Sequence, residues 1–167
     1  MNDYVKKCSR HNGGIRHLRL AAANDIASIE LSAGQVTNIV FKQRARFAEY
    51  DFCEGTAELR EEIDDYSSFK VKHTLSFSLN NLDTASLTAI EQLKVHSCDG
   101  IVALITTNSG ETLLVGYSAD FATERPLRLQ KMVAESGQDL GDASLCNITL
   151  YGEDTALSMP YIGAQTI

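Results

Sequence analysis

Between Phe69 and Leu79 the chain alternates without a break: Val71, His73, Leu75, Phe77 and Leu79 face one way, and Lys70, Lys72, Thr74, Ser76 and Ser78 face the other. A strict period of two over this length predicts a half-buried antiparallel strand, with one face toward a core and one toward water. The fold must therefore supply a second layer over the apolar row.

The rest of the chain offers further strands. Ile15 to Ala21 reads as one, with Ile15, His17 and Arg19 opposing Arg16, Leu18 and Leu20. Ile26–Leu31 and Gln35–Lys42 flank Ser32–Gly34 and predict a hairpin. Arg44 to Glu54 predicts a longer strand, with Gly55 marking a bulge or bend. Ala57 to Ile63 alternates as well: Ala57, Leu59, Glu61 and Ile63 oppose Glu58, Arg60 and Glu62. Its Glu and Leu content also suits a helix, and strand is the preferred reading. Asp64–Ser68 reads as a turn or loop.

After Leu79 the period changes. Asp83 or Thr84 caps a helix running to about Val95, with Leu87, Ile90, Leu93 and Ala89 as its apolar stripe. Ile101–Thr107 and Glu111–Tyr117 flank Asn108-Ser109-Gly110, a hairpin signal. The apolar run Ile101–Ile105 is continuous enough to be a central strand covered on both faces. Gly116 marks a bulge or a close backbone approach. Pro126 opens a strand over Leu127–Glu135, Ser136–Ser144 is a loop, and Leu145–Tyr151 is the last strand. Strands without alternating helices predict a mainly β, antiparallel sandwich or barrel with one flanking helix near residues 84–95. The expected organisation is a mobile N-terminal arm (1–12), a single β-rich domain (13–152) and a polar C-terminal tail (153–167).

Charge is distributed unevenly over this pattern. Up to Arg46 the chain carries eight Lys/Arg and three Asp/Glu; from Phe47 to Phe69 it carries eight acids and one base, Arg60. The net charge is −7 over 167 residues, which argues against a surface made for nucleic acid or anionic membranes. The N-terminus lacks the apolar core of a signal peptide, and no run approaches the about 20 apolar residues of a membrane span. Cys8, Cys53, Cys98 and Cys146 are widely spaced and read as reduced thiols, with two disulfides as the alternative.

Catalytic and metal motifs are weak. Cys8-x-x-His11 and His96-x-Cys98 supply zinc-type ligands in principle, but one pair sits on the arm and the other at a helix end. His73 lies on the apolar face of its strand and reads as a satisfied core or interface histidine. The acids lack the glycine-turned spacing of a calcium loop, and Gly13-Gly14 lacks the rest of a phosphate loop. The expectation is no enzyme, no cofactor and no metal.

The order of parts carries a resemblance. Cys8…Asn12-Gly13-Gly14-Ile15 opens the first strand; an acidic stretch follows, then Lys72-His73-Thr74-Leu75-Ser76-Phe77-Ser78-Leu79, one helix and a hydrophobic strand. Asn108-x-Gly110, Gly116, Arg125-Pro126-Leu127 and a last strand ending in Tyr151-Gly152 complete it. Over about residues 8–152 this layout resembles the small tail proteins of phages and prophages of gut Bacteroidetes, and more broadly the tail-tube family. The resemblance implies a virion structural protein, assembled in the bacterial host cytoplasm with other tail proteins into rings, hexameric in the tail-tube family, that conduct DNA through a commonly acidic bore. It implies no specific nucleic-acid binding and no membrane. On this reading Glu58, Glu61, Glu62, Asp64 and Asp65 form a projecting acidic ribbon facing a lumen or a neighbour. Lys6, Lys7, Arg10, Arg16, Arg19, Arg44 and Arg46 form a basic assembly surface. A small β-barrel module binding a ligand or protein is the alternative.

Overall fold

The computed structural model describes residues 12–63, 70–139 and 141–163. The arm before Asn12, with Lys6, Lys7 and Arg10, and the turn carrying Asp64 and Asp65 lie outside the described residues. In chain order the elements are β1 (Ile15–Ala22), β2 (Ile26–Ser32), β3 (Gln35–Phe41), β4 (Ala48–Tyr50), β5 (Glu58–Ile63), β6 (Val71–Asn80), α1 (Thr84–Asp99), β7 (Ile101–Thr107), β8 (Thr112–Val115), β9 (Arg128–Glu135), β10 (Leu145–Asp154) and β11 (Met159–Pro160).

The strands form a five-stranded sheet, β11-β8-β7-β1-β4, a four-stranded sheet, β5-β6-β10-β9, and the separate ribbon β2-β3. Every pairing between these strands is antiparallel. The two larger sheets share one core. Leu18, Leu20, Ile101, Ala103, Ile105 and Val115 come from the five-stranded sheet, and Leu75, Phe77, Leu79, Cys146, Ile148 and Leu150 from the four-stranded one. The architecture is a β-sandwich with one helix. The apolar row of β6 is buried from Val71 to Leu79, as its alternation predicts.

A second core lies on the other side of the five-stranded sheet. Val102 and Leu104 of β7 and Leu114 of β8 meet Ile26, Val36 and Met159, with Ile29, Ile39 and Phe41 of the ribbon packed against them. Strand β7 is therefore covered on both faces, which is why its apolar run does not alternate. Burial of each large aliphatic side chain here contributes about 1.5–3 kcal/mol.

Helix α1 starts where the cap signal places it: the Asp83 side chain accepts from Ser86 N–H at 2.8 Å. It runs on to Asp99, beyond the expected end, and closes at Gly100 with φ 101°. It packs through Ile90 and Leu93, whereas Leu87 stays 49% exposed and is not part of a buried stripe. Arg128 of β9 donates to the carbonyls of Ser97 and Cys98, satisfying the last turn with a cation at the negative end of the helix.

Four expectations need correction. In β1 a bulge between Ile15 and His17 puts Ile15 on the same buried face as Leu18 and Leu20, so the simple alternation does not hold. Arg44–Glu54 is not a long strand: Arg44 has φ 64°, a left-handed geometry that interrupts extended backbone, and only Ala48–Tyr50 pairs. Residues 153–163 are no tail. Glu153 and Asp154 finish β10, Met159 and Pro160 pair with β8, and Ile162 N–H donates to Val36 carbonyl at 2.9 Å. The ribbon outside the sandwich is β2-β3, while β5, the acidic strand, is an edge strand of the four-stranded sheet.

Two glycines at positive φ separate space from strain. A Cβ on Gly100 would lie 2.1 Å from Pro126 Cγ, whereas one on Gly110 would meet nothing within 4 Å. Gly110→Ala should cost about 1 kcal/mol of backbone strain. Gly100→Ala should cost about 3 kcal/mol or more, because the buried Pro126 must also move. Urea unfolding of both variants checks the difference.

Candidate functional site

The four-stranded sheet has one face in the core and a polar second face to which neither hydrophobic cluster contributes. The register lines its side chains up in rows. Glu58 lies beside Ser76, Thr149 and Lys131; Arg60 beside Thr74, Tyr151 and Arg128; Glu62 beside Lys72 and Glu153; Ser78 beside Asn147 and Val133. Within these rows Ser78 Oγ and Asn147 Oδ1 are 2.6 Å apart, Lys70 Nζ and Glu153 Oε1 are 2.7 Å apart, and Arg60 holds Glu62 at 2.6 Å. The Lys70 contact, and after it the hydrogen bond from Tyr151, hold the Glu153 carboxyl below its ordinary pKa.

Among the described residues the sheet ends in two strands that each have a strand neighbour on one side only, β5 and β9. Their charges differ in sign. The β5 edge carries Glu58 and Glu62 against Arg60, and the β9 edge carries Lys131, and Arg128 bound to the end of α1, against Glu135. Three successive antiparallel pairings make β5 and β9 run in opposite directions. If a second copy brought β9 alongside β5, the new pairing would again be antiparallel and unlike in charge.

Glu61 does not belong to the exposed acids. It sits opposite His73 in the register, and its Oε1 lies 2.8 Å from His73 Nδ1 and accepts from Ser158 N–H at 2.7 Å. The side chains are 19% and 5% exposed. The carboxylate oxygen lies off the direction of the ring N–H, so the contact is close but poorly aligned. Burial raises the Glu61 pKa, but the His73 contact and the Ser158 hydrogen bond outweigh it, leaving the carboxyl below its ordinary value. This pair ties β5 to β6 and to the segment before β11. The signal was present in the sequence: Glu61 shares its row with Ala57 and Leu59, and His73 lies on the apolar row of its own strand.

The remaining acids are divided between the two sheets rather than gathered on one ribbon. Glu49 belongs to β4 in the other sheet and meets His17 at 3.4 Å. Glu49, Asp51 and Glu54 edge a cleft of about 570 Å³ at the start of β1. The described basic residues are dispersed as well. Arg16 lines that cleft, Arg46 lines another beside α1, Arg44 sits in the turn after β3, and Arg19 faces Glu49 in the register. The basic edge of β9 was not anticipated from sequence. Arg128 and Lys131 lie on one face only because of the bulge at Thr149/Leu150, which a reading of period two cannot foresee.

Cys53, Cys98 and Cys146 are free thiols, with burial raising the pKa of Cys53 and Cys146. Cys8 and His11 lie outside the described residues. Among the described residues no group of three or more His, Cys, Asp or Glu is placed to hold a metal, and no helix is long and apolar enough to cross a membrane. Comparison of the chain with protein-family models, curated proteins and solved structures gives no match.

The Glu61 contact has a pH signature. A carboxyl whose pKa is lowered by folding adds stability that is complete above its unfolded value, about 4.3, and is lost as pH falls through the lower folded value. Glu61→Gln should cost about 1–3 kcal/mol at pH 7, and the gap from wild type should shrink toward pH 3. Urea unfolding at the two pH values reads both effects.

Proposed function

We propose that this chain is a non-enzymatic structural subunit of a phage or prophage tail, forming the tube or a ring at its end by self-assembly. The observation that carries the reading is the four-stranded sheet, which among the described residues has a polar face outside both hydrophobic clusters and two edge strands of unlike charge, β9 being held at Arg128 and Leu129 by the end of α1. An open edge is normally blunted, because its unpaired backbone groups recruit other strands. Two such edges on one sheet, acidic on one side and basic on the other, make a head-to-tail contact between copies. Repeated rotation about such a contact closes a ring.

In such a ring the four-stranded sheets would join side by side, with the Ser, Thr, Lys and Glu rows forming a continuous wall. That wall is of mixed charge, with Glu58, Glu62 and Glu153 set beside Arg60, Lys72, Arg128 and Lys131. The resemblance of the sequence layout to tail-tube proteins supports the same assembly. Glu61 has a different part in this reading. It anchors β5 to the body of the subunit through His73 and Ser158, holding the edge in place for its partner.

The wild-type chain should form rings or short tubes, seen by negative-stain microscopy and by light scattering at high concentration. Lys131→Glu, and separately Glu58→Lys with Glu62→Lys, should each weaken self-association at least tenfold by placing like charges across the edge contact. A mixture of the two variants should regain association, because both contacts between unlike variants again pair an acidic edge with a basic one. A wild-type chain that stays monomeric at millimolar concentration would overturn the reading.

A further inference from the structure

The cleft at the start of β1 has an apolar floor and an acidic rim. Tyr50 and Phe52 pack against the sandwich core beneath it, and Glu49, Asp51 and Glu54 stand around it with Arg16. Glu49 is engaged by His17, but Asp51 and Glu54 make no ion pair among the described residues. Gly13 and Gly14, just after residues 1–11, lie on the wall of this cleft. Asn108 Nδ2 donates to Gly13 carbonyl at 2.7 Å and Ser109 Oγ to Asn12 carbonyl at 3.2 Å, pinning this stretch to the β7–β8 turn. Gly14 has φ 91°, so the backbone turns sharply there.

We propose that this cleft is the docking site of the chain's own residues 1–11. The chemistry of that segment matches it: Tyr4 and Val5 suit the aromatic floor, and Lys6, Lys7 and Arg10, against the single acid Asp3, suit the rim. Reach is no obstacle. Lys7 is five residues from Asn12, about 17 Å of extended chain. Tethering gives the segment an effective concentration of about 1 mM, so an intrinsic dissociation constant near 0.1 mM leaves it about nine-tenths docked. A neighbour's segment at micromolar concentration is outcompeted by roughly a thousandfold. Docking gives the charge reversal at Arg46/Phe47 a partner inside the same chain, and it concerns acids other than those of the β5 edge. It therefore stands apart from the assembly reading.

The test uses the full-length chain bearing Glu58→Lys and Glu62→Lys, which keeps the sheet edge from pairing, followed by amide exchange and NMR. In this background residues 4–10 should exchange about tenfold more slowly than in the free 1–11 peptide. Adding Asp51→Lys with Glu54→Lys, or raising salt to about 1 M, should abolish the protection. Unchanged core resonances will show that the rim variant folds. Free-peptide exchange of residues 4–10 overturns the inference, as does protection that survives the rim variant. Protection that grows with protein concentration also overturns it, because it assigns the cleft to the segment of a second copy.

Discussion

The structure depends on the burial of β7 from both sides. Ile101, Ala103 and Ile105 face the sandwich core while Val102 and Leu104 face the ribbon, so this strand has no solvent face and must be central. Two consequences follow from packing. The five-stranded sheet needs a second cover, which β2-β3 and the segment around Met159 supply. The helix is excluded from both faces and lies at the side, where Ile90 and Leu93 close one end of the sandwich core. The turn from α1 into β7 is correspondingly tight, with Gly100 against Pro126 and the Gly116 backbone against the Ile101 carbonyl.

With the covering elements assigned to the five-stranded sheet, the four-stranded sheet keeps one polar face and two edge strands, of which β9 is held at Arg128 and Leu129 by the end of α1. Its order comes from hydroxyl and amide side chains, from short ion pairs and from the Glu61–His73 contact. A carboxylate and an imidazole this buried destabilise the fold if left alone. Held together, with the Ser158 N–H as a further donor, they fix an edge strand that has a strand neighbour on one side only. The same sheet that carries the proposed assembly contact is thus the one that spends buried polar groups on its own edge.

Much of this fold was legible as local pattern. The alternation of Val71–Leu79, the Asp83 cap, the hairpin at Asn108–Gly110, the unbroken apolar run of β7 and the close approach at Gly116 each follow from side-chain period or backbone geometry. The failures have physical causes too. A single bulge in β1 moved Ile15 to the other face, a left-handed Arg44 shortened β4, and residues past Gly152 became sheet because β6 extends beside Glu153 and Asp154 and β8 offers an edge to Met159 and Pro160. Glu61 was misplaced because its charge was weighed above its row, although the row set where it points.

The sequence by itself determined which segments are extended, which face of most strands is buried and that one helix stands apart, because these depend on periods of two and 3.6 read over neighbouring residues. Only the tertiary structure decided which strands pair. Glu49 and Glu61 are twelve residues apart in a single acidic stretch and end in different sheets, one beside His17 and the other beneath the surface with His73. Alternation says that a side chain points inward, but not what it will meet there. That depends on partners far along the chain, brought together only when the two cores close.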